Sequence, residues 1–155
     1  MSNRKNLEEY LCNENAEMFK ICEQFYYLGR VVPRDGEGPL VYNTLLLELS
    51  NKTATAFLKG IALSKEQIKV TCSRADIDPQ HIDMFGKSLV KVVSELIAYT
   101  RQMARSASSN HKKIIGDSID KAIGAYCLGL GGDIKDFSEG NAMDLLLSGH
   151  KKDAS

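Results

Sequence analysis

The chain has 155 residues, the size of one ordinary domain, and its 43% apolar and 26% charged residues are typical of a globular protein with a full core. Its 20 basic and 20 acidic residues cancel, whereas a dedicated nucleic-acid binder usually carries a basic excess because phosphate neutralisation supplies most of its affinity. No apolar run reaches the roughly 20 residues that a membrane span needs, so the sequence disfavours both nucleic-acid binders and membrane-spanning proteins.

The N-terminal stretch and the cysteines indicate the cellular compartment. MSNRKNLEEY is charged and amphipathic instead of apolar, which is not the pattern of a secretory signal. None of the cysteines has a C-x-x-C spacing, and each stands among apolar neighbours: Cys12, Cys22, Cys72 and Cys127. We therefore expect a cytoplasmic protein whose cysteines are reduced and lie in its core.

The first elements in chain order are two long helices joined by a loop. Apolar residues at helical spacing predict a helix over residues 6–28 that stops at Gly29. The next segment, residues 29–39, contains three glycines and two prolines and is longer than a simple connector, which makes it a candidate binding loop. Pro39 suits the first position of a second helix, over residues 39–62. That helix carries Leu40, Leu45, Leu46, Leu49, Phe57, Leu58 and Ile61.

Two further helix starts follow. Ser64 and Gln67 have the spacing of a capping box, which predicts a helix over residues 64–75. Asp78 then suits an N-cap and Pro79 the first position of another helix.

The segment after Pro79 has the most regular pattern in the chain, with apolar residues alternately three and four positions apart. This heptad pattern predicts a long bundle helix whose seam is either buried in the monomer or shared with a second copy. The seam consists of Ile82, Phe85, Leu89, Val92, Leu96, Tyr99 and Met103. Serines and an asparagine at 106–110 weaken the helix without a glycine or proline to break it, so the helix either turns there or continues. We favour a turn, because one helix over residues 79–130 would be about 75 Å long, and a further amphipathic helix then ends near residue 130.

The run CLGLGGD, residues 127–133, resembles a phosphate-binding loop at first sight. It follows a helix, lacks the Lys and Ser/Thr of a Walker loop, and leads into Asp133, whose carboxylate would repel phosphate. We therefore interpret it as a helix stop. Residues 138–147 then predict one short helix that folds back as a cover.

These elements predict an all-α fold, an antiparallel helical bundle of about four to six helices that forms a single domain over residues 1–150, with a disordered tail at 151–155. FGKSLVKVVSELIAYTRQMA, residues 85–104, resembles the apolar and small-residue helices of focal-adhesion bundles of the talin, vinculin and focal-adhesion-targeting type. The resemblance covers about twenty residues and is mainly one of periodicity. It implies a bundle that exchanges helices or presents a groove to partner proteins.

Basic residues supply the candidate binding site. Between Glu95 and Asp117 the chain has no acidic residue but carries Arg101, Arg105, His111, Lys112 and Lys113. With a turn at 106–110 these residues gather at one end of the bundle, where they suit an acidic partner or a phosphate group. The 29–39 loop adds a second candidate set, Arg30 and Arg34.

Catalytic and metal-binding patterns are not found. SNHKKIIG around His111 fails the H-x-x-K-G pattern of histidine phosphotransfer domains, because Ile114 stands where the lysine belongs. His81, His111 and His150 are far apart, and no E-x-x-H or paired-cysteine motif occurs. We therefore expect no metal, no cofactor and a non-enzymatic role.

Our first functional hypothesis is a non-enzymatic adaptor that acts through protein–protein interaction or by self-assembly into a homo-oligomer. The alternative is a bundle that binds a small anionic ligand or nucleotide through the basic residues and the 29–39 loop. A nucleic-acid-binding bundle is the third hypothesis, and the zero net charge disfavours it.

Overall fold

The computed structural model of the chain describes residues 2–33, 38–73, 79–106 and 111–131. Within these ranges the fold consists of six helices and has no strand, which confirms the all-α bundle. The helices are α1 (Ser2–Tyr10), α2 (Ala16–Arg30), α3 (Gly38–Leu58), α4 (Lys65–Cys72), α5 (Pro79–Ser106) and α6 (His111–Gly129).

The prediction of one helix over residues 6–28 is wrong, because the chain forms α1 and α2 with a turn between them. Asn15 causes the break: its side-chain oxygen accepts a hydrogen bond of 2.8 Å from the backbone N–H of Met18, which caps the start of α2. The amide group of Asn15 also donates to the hydroxyl of Tyr99 at 2.8 Å. This second bond ties the break to α5.

Helix α3 ends earlier than the predicted limit of residue 62. Gly60 has a φ of 76°, a left-handed conformation that turns the chain away after Leu58. Leu58 and Ile61 are consequently 70% and 60% exposed. Leu40, near the start of α3, is 54% exposed, so none of these three residues belongs to the core, contrary to the prediction. The other residues predicted for this helix are buried or pack against the core.

The capping box at the start of α4 is confirmed. The backbone N–H of Gln67 donates to the Ser64 hydroxyl at 3.2 Å, and the Gln67 side-chain oxygen accepts from the backbone N–H of Ser64 at 3.0 Å. Helix α4 then packs against both α3 and α5. A hydrogen bond joins α3 to α4: the Lys52 ammonium of α3 donates to the Thr71 hydroxyl of α4 at 2.8 Å.

The directions of the long helices follow from their contacts. Helix α3 runs parallel to α5, since Tyr42 stacks edge-on against Phe85 near the start of both helices and Phe57 contacts Arg101 near their ends. Helix α4 lies between α3 and α5 in the sequence and packs against both, so it belongs to the connection that returns the chain to the end of the bundle where α3 began. Helix α2 runs antiparallel to α5, as the Asn15–Tyr99 bond lies at the start of α2 and towards the end of α5.

Helices α5 and α6 are separate, as the turn prediction required, although residues 107–110 of that turn lie outside the described residues. The two helices pack against each other and run in opposite directions, because α6 runs parallel to α2: Lys121 pairs with Glu14 just before α2, and Gly129 lies against Tyr26 near the end of α2. The seam residues Phe85, Leu89, Val92, Leu96 and Tyr99 are at most 7% exposed, which places the seam in the core of this chain. Met103 at its end is 38% exposed, and the Ile82 side chain lies outside the description.

The glycine run ends α6, as predicted. Gly131 has a φ of 104°, and its backbone N–H donates to the carbonyl of Leu128 at 3.0 Å. Asp133, the predicted helix over 138–147 and the predicted tail over 151–155 lie outside the described residues.

Candidate functional site

The structure places the described members of the predicted basic residues at two opposite ends of the bundle. Arg101 and Arg105 lie in the last turns of α5, and Lys113 lies in the first turn of α6, at what we call the basic end. Both arginines are exposed. The side chains of His111 and Lys112 lie outside the described residues, although their backbone belongs to the same first turn of α6.

Two of the described cations of the basic end, Arg101 and Lys113, have different surroundings. The Arg101 guanidinium lies over the ring of Phe57, 5.5 Å from its centroid, which is a cation–π contact. The Lys113 ammonium pairs with Asp117 at 3.1 Å, one turn further along α6, and both side chains are about 70% exposed. An exposed pair of this kind is weak, so it leaves Lys113 free to exchange its carboxylate for another anion.

Arg30 lies at the opposite end of the bundle, in the last turn of α2. Its guanidinium stays near its own helix, 6.0 Å from the ring centroid of Tyr26, and donates to the Tyr26 hydroxyl at 3.4 Å. Met84 lies beside α2 at this end, and Arg101 follows it by seventeen residues on α5, about 25 Å along the helix axis. Arg30 and the basic end therefore cannot hold the same small ligand. Arg34 lies outside the described residues.

A groove between α2 and α5 is the first concave feature of the surface. Its apolar half, at the opposite end from the basic end, holds about 340 Å³ and has no charged lining residue. Its walls expose three apolar side chains: Tyr27 is 50%, Val31 52% and Met84 63% exposed. Leu28 and Phe85, which are buried, form the floor.

The groove continues towards the basic end as a polar half of about 360 Å³, which includes Glu17, Lys20 and Ala98. A hydrogen bond of 3.0 Å from the Gln24 amide to the Glu95 carboxylate lies where the two halves meet. We call the two halves together the α2/α5 groove. From Glu17 to Val31 it follows fourteen residues of α2, about 21 Å.

The second concave feature is a partly open cavity of about 290 Å³ that lies between α3 and α6 and is closed from below by α2 and α5. Its lining is almost wholly apolar, with Ser50 and Asn51 as its polar members. Side chains from four helices contribute, among them Phe25, Leu46, Ala54, Val93, Ile97 and Ile119. We call it the α3/α6 cavity.

The cysteines do not form a reactive site. Burial raises the pKa of the Cys22 and Cys127 thiols to about 12, so both are protonated and unreactive at neutral pH. Burial also raises the pKa of the Cys72 thiol. The expectation that all four cysteines lie in the core is wrong for Cys12, which is exposed in the turn after α1.

Two further classes of site are absent from the described part of the chain. No three side chains of His, Cys, Asp or Glu come together there in a way that could hold a metal ion. None of the described helices combines the length and the apolar character required to cross a bilayer.

No protein-family model, curated protein or solved structure matches the chain. The likeness of residues 85–104 to focal-adhesion helices therefore rests on periodicity alone.

Neither the groove nor the cavity was predicted from the sequence. A signal for the groove exists in α2, where Gln24, Tyr27, Leu28 and Val31 have the spacing of one helix face, separate from the face that packs on α6. The cavity has no such signal, because its lining residues have the same spacing and composition as a filled core.

Proposed function

We propose that the chain is a non-enzymatic interaction protein whose α2/α5 groove binds one amphipathic helix of a partner protein. The observation that carries this proposal is the exposure of Tyr27, Val31 and Met84, between 50% and 63%, on the two walls of the uncharged apolar half of this groove. Single exposed apolar residues are common on protein surfaces, whereas a contiguous apolar patch marks an interaction site.

The dimensions of the groove favour a helix as its occupant. A length of about 21 Å corresponds to roughly four helical turns. Two antiparallel helices form its walls, a geometry in which a third helix packs with side chains at positions i, i+3, i+4 and i+7. In the apolar half such a helix would cover Tyr27, Val31 and Met84.

Two lysines at the rim favour an acidic flank on the partner helix, and of the two carboxylates in the polar half, Glu17 and Glu95, that of Glu95 already accepts a hydrogen bond from Gln24. Lys91 follows Met84 by two turns on the solvent edge of α5, and Lys20 lines the polar half from α2. Both lysines are exposed, and within the described part of the chain neither has a carboxylate partner. Carboxylates on the partner helix would pair with them at the rim and set its orientation.

The test uses designed helical peptides of about 20 residues. One peptide has apolar residues at i, i+3, i+4 and i+7 with glutamates on its flanks. A second has the same apolar residues with lysines on its flanks, and a third has scrambled spacing. We expect saturable binding of the acidic-flanked peptide by fluorescence anisotropy, at least tenfold tighter than binding of either other peptide.

Charged substitutions in the groove provide the variants. The double variant Val31→Glu, Met84→Glu should weaken peptide binding at least tenfold, because it places two carboxylates in an apolar site beside an acidic helix. Val70→Glu is the matched control, since Val70 is 67% exposed on α4, outside the α2/α5 groove. All three positions are exposed, so the variants should fold normally, which circular dichroism can verify.

Three outcomes would contradict the proposal. The first is the absence of saturable binding by the acidic-flanked peptide, and the second is binding that the groove variant leaves unchanged. The third is self-association in sedimentation experiments that Met84→Glu abolishes, because the groove would then be the interface of a homo-oligomer.

A further inference from the structure

Among the described residues, the α3/α6 cavity is a large and partly open apolar space, with Asn51 exposed and Ser50 and Ile119 half-buried in its lining. Native cores pack at crystal-like density and contain few voids larger than a water molecule. An engineered apolar cavity of about 150 Å³ stays free of water and binds benzene. At about 290 Å³ the α3/α6 cavity offers roughly twice that space, enough for an acyl chain of roughly ten carbons. An apolar chain is the ligand that fits this lining.

One turn beyond the cavity, towards the basic end, lie three further residues, Phe57, Arg101 and Gly116, which we call its mouth. Phe57 follows the lining residue Ala54 by three positions on α3, and Arg101 follows Ile97 by four positions on α5. Residues three or four apart lie on the same face of a helix, so both side chains lie directly above the lining. Their cation–π contact of 5.5 Å joins the two helices at this level.

The third residue of the mouth belongs to α6 and has no side chain. Gly116 lies seven positions before Ile123 on the lining face of α6. A Cβ at Gly116 would meet no atom within 4 Å, so the mouth is open on this side among the described residues. There is room here for a polar headgroup between α6 and the Arg101 guanidinium.

The electrostatic character of the mouth is positive. Arg101 is exposed and, within the described residues, has no carboxylate partner. Arg105 follows it by one turn on α5. A guanidinium offers paired N–H donors that match the two oxygens of a carboxylate. The stem of Arg101 is already positioned by Phe57, which lowers the entropy cost of holding an anion there.

We propose that the chain binds one medium-chain carboxylate, an unbranched acyl chain of roughly ten carbons. The acyl chain fills the α3/α6 cavity, and its carboxylate accepts hydrogen bonds from the Arg101 guanidinium at the mouth. This site lies between α3, α5 and α6, whereas the α2/α5 groove lies on another face of α5, so the two proposals stand independently.

Four probes separate the contributions of charge and chain. Decanoate carries both, decanol lacks the charge, decyltrimethylammonium reverses it, and acetate lacks the chain. Each is titrated below its critical micelle concentration and followed by calorimetry and by the methyl signals of Ile119 and Ile123. We expect one decanoate per chain, at least tenfold weaker binding of decanol and decyltrimethylammonium, and no detectable binding of acetate.

Two variants test the two parts of the site. Arg101→Met retains the apolar stem on Phe57 but removes the charge, so it should weaken decanoate at least tenfold and leave decanol unchanged. Ala54→Leu fills the cavity and should weaken both ligands at least tenfold. The matched controls are Lys69→Met, an exposed cation on α4, and Ala98→Leu, an exposed alanine on α5 outside the cavity.

The proposal is overturned if decanoate fails to bind saturably to the unmodified chain, or if it binds no better than decyltrimethylammonium. It is also overturned if Arg101→Met weakens decanol as much as decanoate, since the arginine would then act only on the fold. Thermal unfolding of each variant verifies its fold. Should Ala54→Leu unfold, the shifts that decanoate causes at Ile119 and Ile123 still report where the chain lies.

Discussion

Gly29 of α2 and Gly129 of α6 lie against each other's helix backbone. A Cβ on Gly29 would overlap the carbonyl oxygen of Tyr126, and a Cβ on Gly129 would overlap the carbonyl oxygen of Tyr26. Only glycine allows two helix backbones to approach this closely. The crossing therefore fixes the positions of the C-terminal ends of α2 and α6 relative to each other.

The first prediction follows from this crossing. Gly29→Ala and Gly129→Ala should each lower the free energy of unfolding by about 3 kcal/mol, because the added methyl group forces the two backbones apart. The measurement is urea denaturation followed by circular dichroism.

Gly116→Ala is the matched control for the crossing. Gly116 also lies within α6, but a Cβ there meets open space. Alanine should raise the free energy of unfolding there by about 0.5–1 kcal/mol, since glycine is the weaker helix former. Equal effects at Gly116 and Gly129 would show that helix propensity, not the crossing, determines the loss.

A second prediction concerns Asn15, which caps α2 and donates to Tyr99. Asn15→Ala should cost about 1–2 kcal/mol of unfolding free energy through the loss of both bonds. Asn15→Ser should cost less, because serine retains the cap but is too short to reach the Tyr99 hydroxyl. Asn13→Ala, at an exposed position in the same turn, should change stability by less than about 0.5 kcal/mol.

Asn15 also explains where the periodicity of the sequence misleads. The apolar residues Leu7, Leu11 and Met18 keep helical spacing across the break, and all three are buried. The helical spacing of apolar residues therefore continues through the turn, because α1 and α2 both place these residues in the same core. The cap at Asn15 is the local signal that outweighs the pattern.

Local signals were sufficient elsewhere in the chain. The capping box at Ser64, the helix stop at Gly131 and the heptad seam of α5 each depend on residues close in sequence, and all three were predictable. The contact between Gly29 and Gly129 joins residues a hundred positions apart, so no local pattern contains it.

The candidate sites were less predictable than the fold for the same reason. The gathering of Arg101, Arg105 and Lys113 followed from one turn, whereas the separation of Arg30 from them depends on the direction of α2 relative to α5. The α3/α6 cavity depends on how far apart two helices lie, a quantity that periodicity does not contain.

A third prediction concerns Thr53, a residue of α3 that is 3% exposed. Among the described residues its hydroxyl has no hydrogen-bond partner. A buried hydroxyl without a partner loses its bonds to water on folding, so Thr53→Val should raise the free energy of unfolding by about 1 kcal/mol. Thermal and urea denaturation can both measure the gain.

Thr55→Val is the control for Thr53. Thr55 lies on the same helix, is exposed, and its hydroxyl donates to the Asn51 carbonyl at 2.9 Å. Valine at this position removes a bond and exposes a methyl group, so no stabilisation is expected. A gain at Thr55 as large as that at Thr53 would attribute the effect to helix propensity instead of burial.

The fourth prediction is a loss of stability at alkaline pH. The ordinary pKa of a cysteine thiol is 9.0, and burial raises those of Cys22 and Cys127 to about 12. Between these values the unfolded chain has released both protons while the folded chain retains them. The free energy of unfolding is therefore unaffected by these thiols below pH 9 and falls as the pH rises from 9 towards 12.

The size of this loss can be measured thiol by thiol. Each buried thiol should lower the free energy of unfolding by about 1.4 kcal/mol per pH unit in that window, in addition to the contribution of the buried Tyr10 and Tyr126, whose pKa values burial also raises. Urea denaturation between pH 8 and 11 gives the slope. Cys127→Ala should reduce it by the contribution of one thiol, whereas Cys12→Ala, at an exposed position, should leave it unchanged. Equal slopes for these two variants would contradict the assignment of the pH dependence to the buried cysteines.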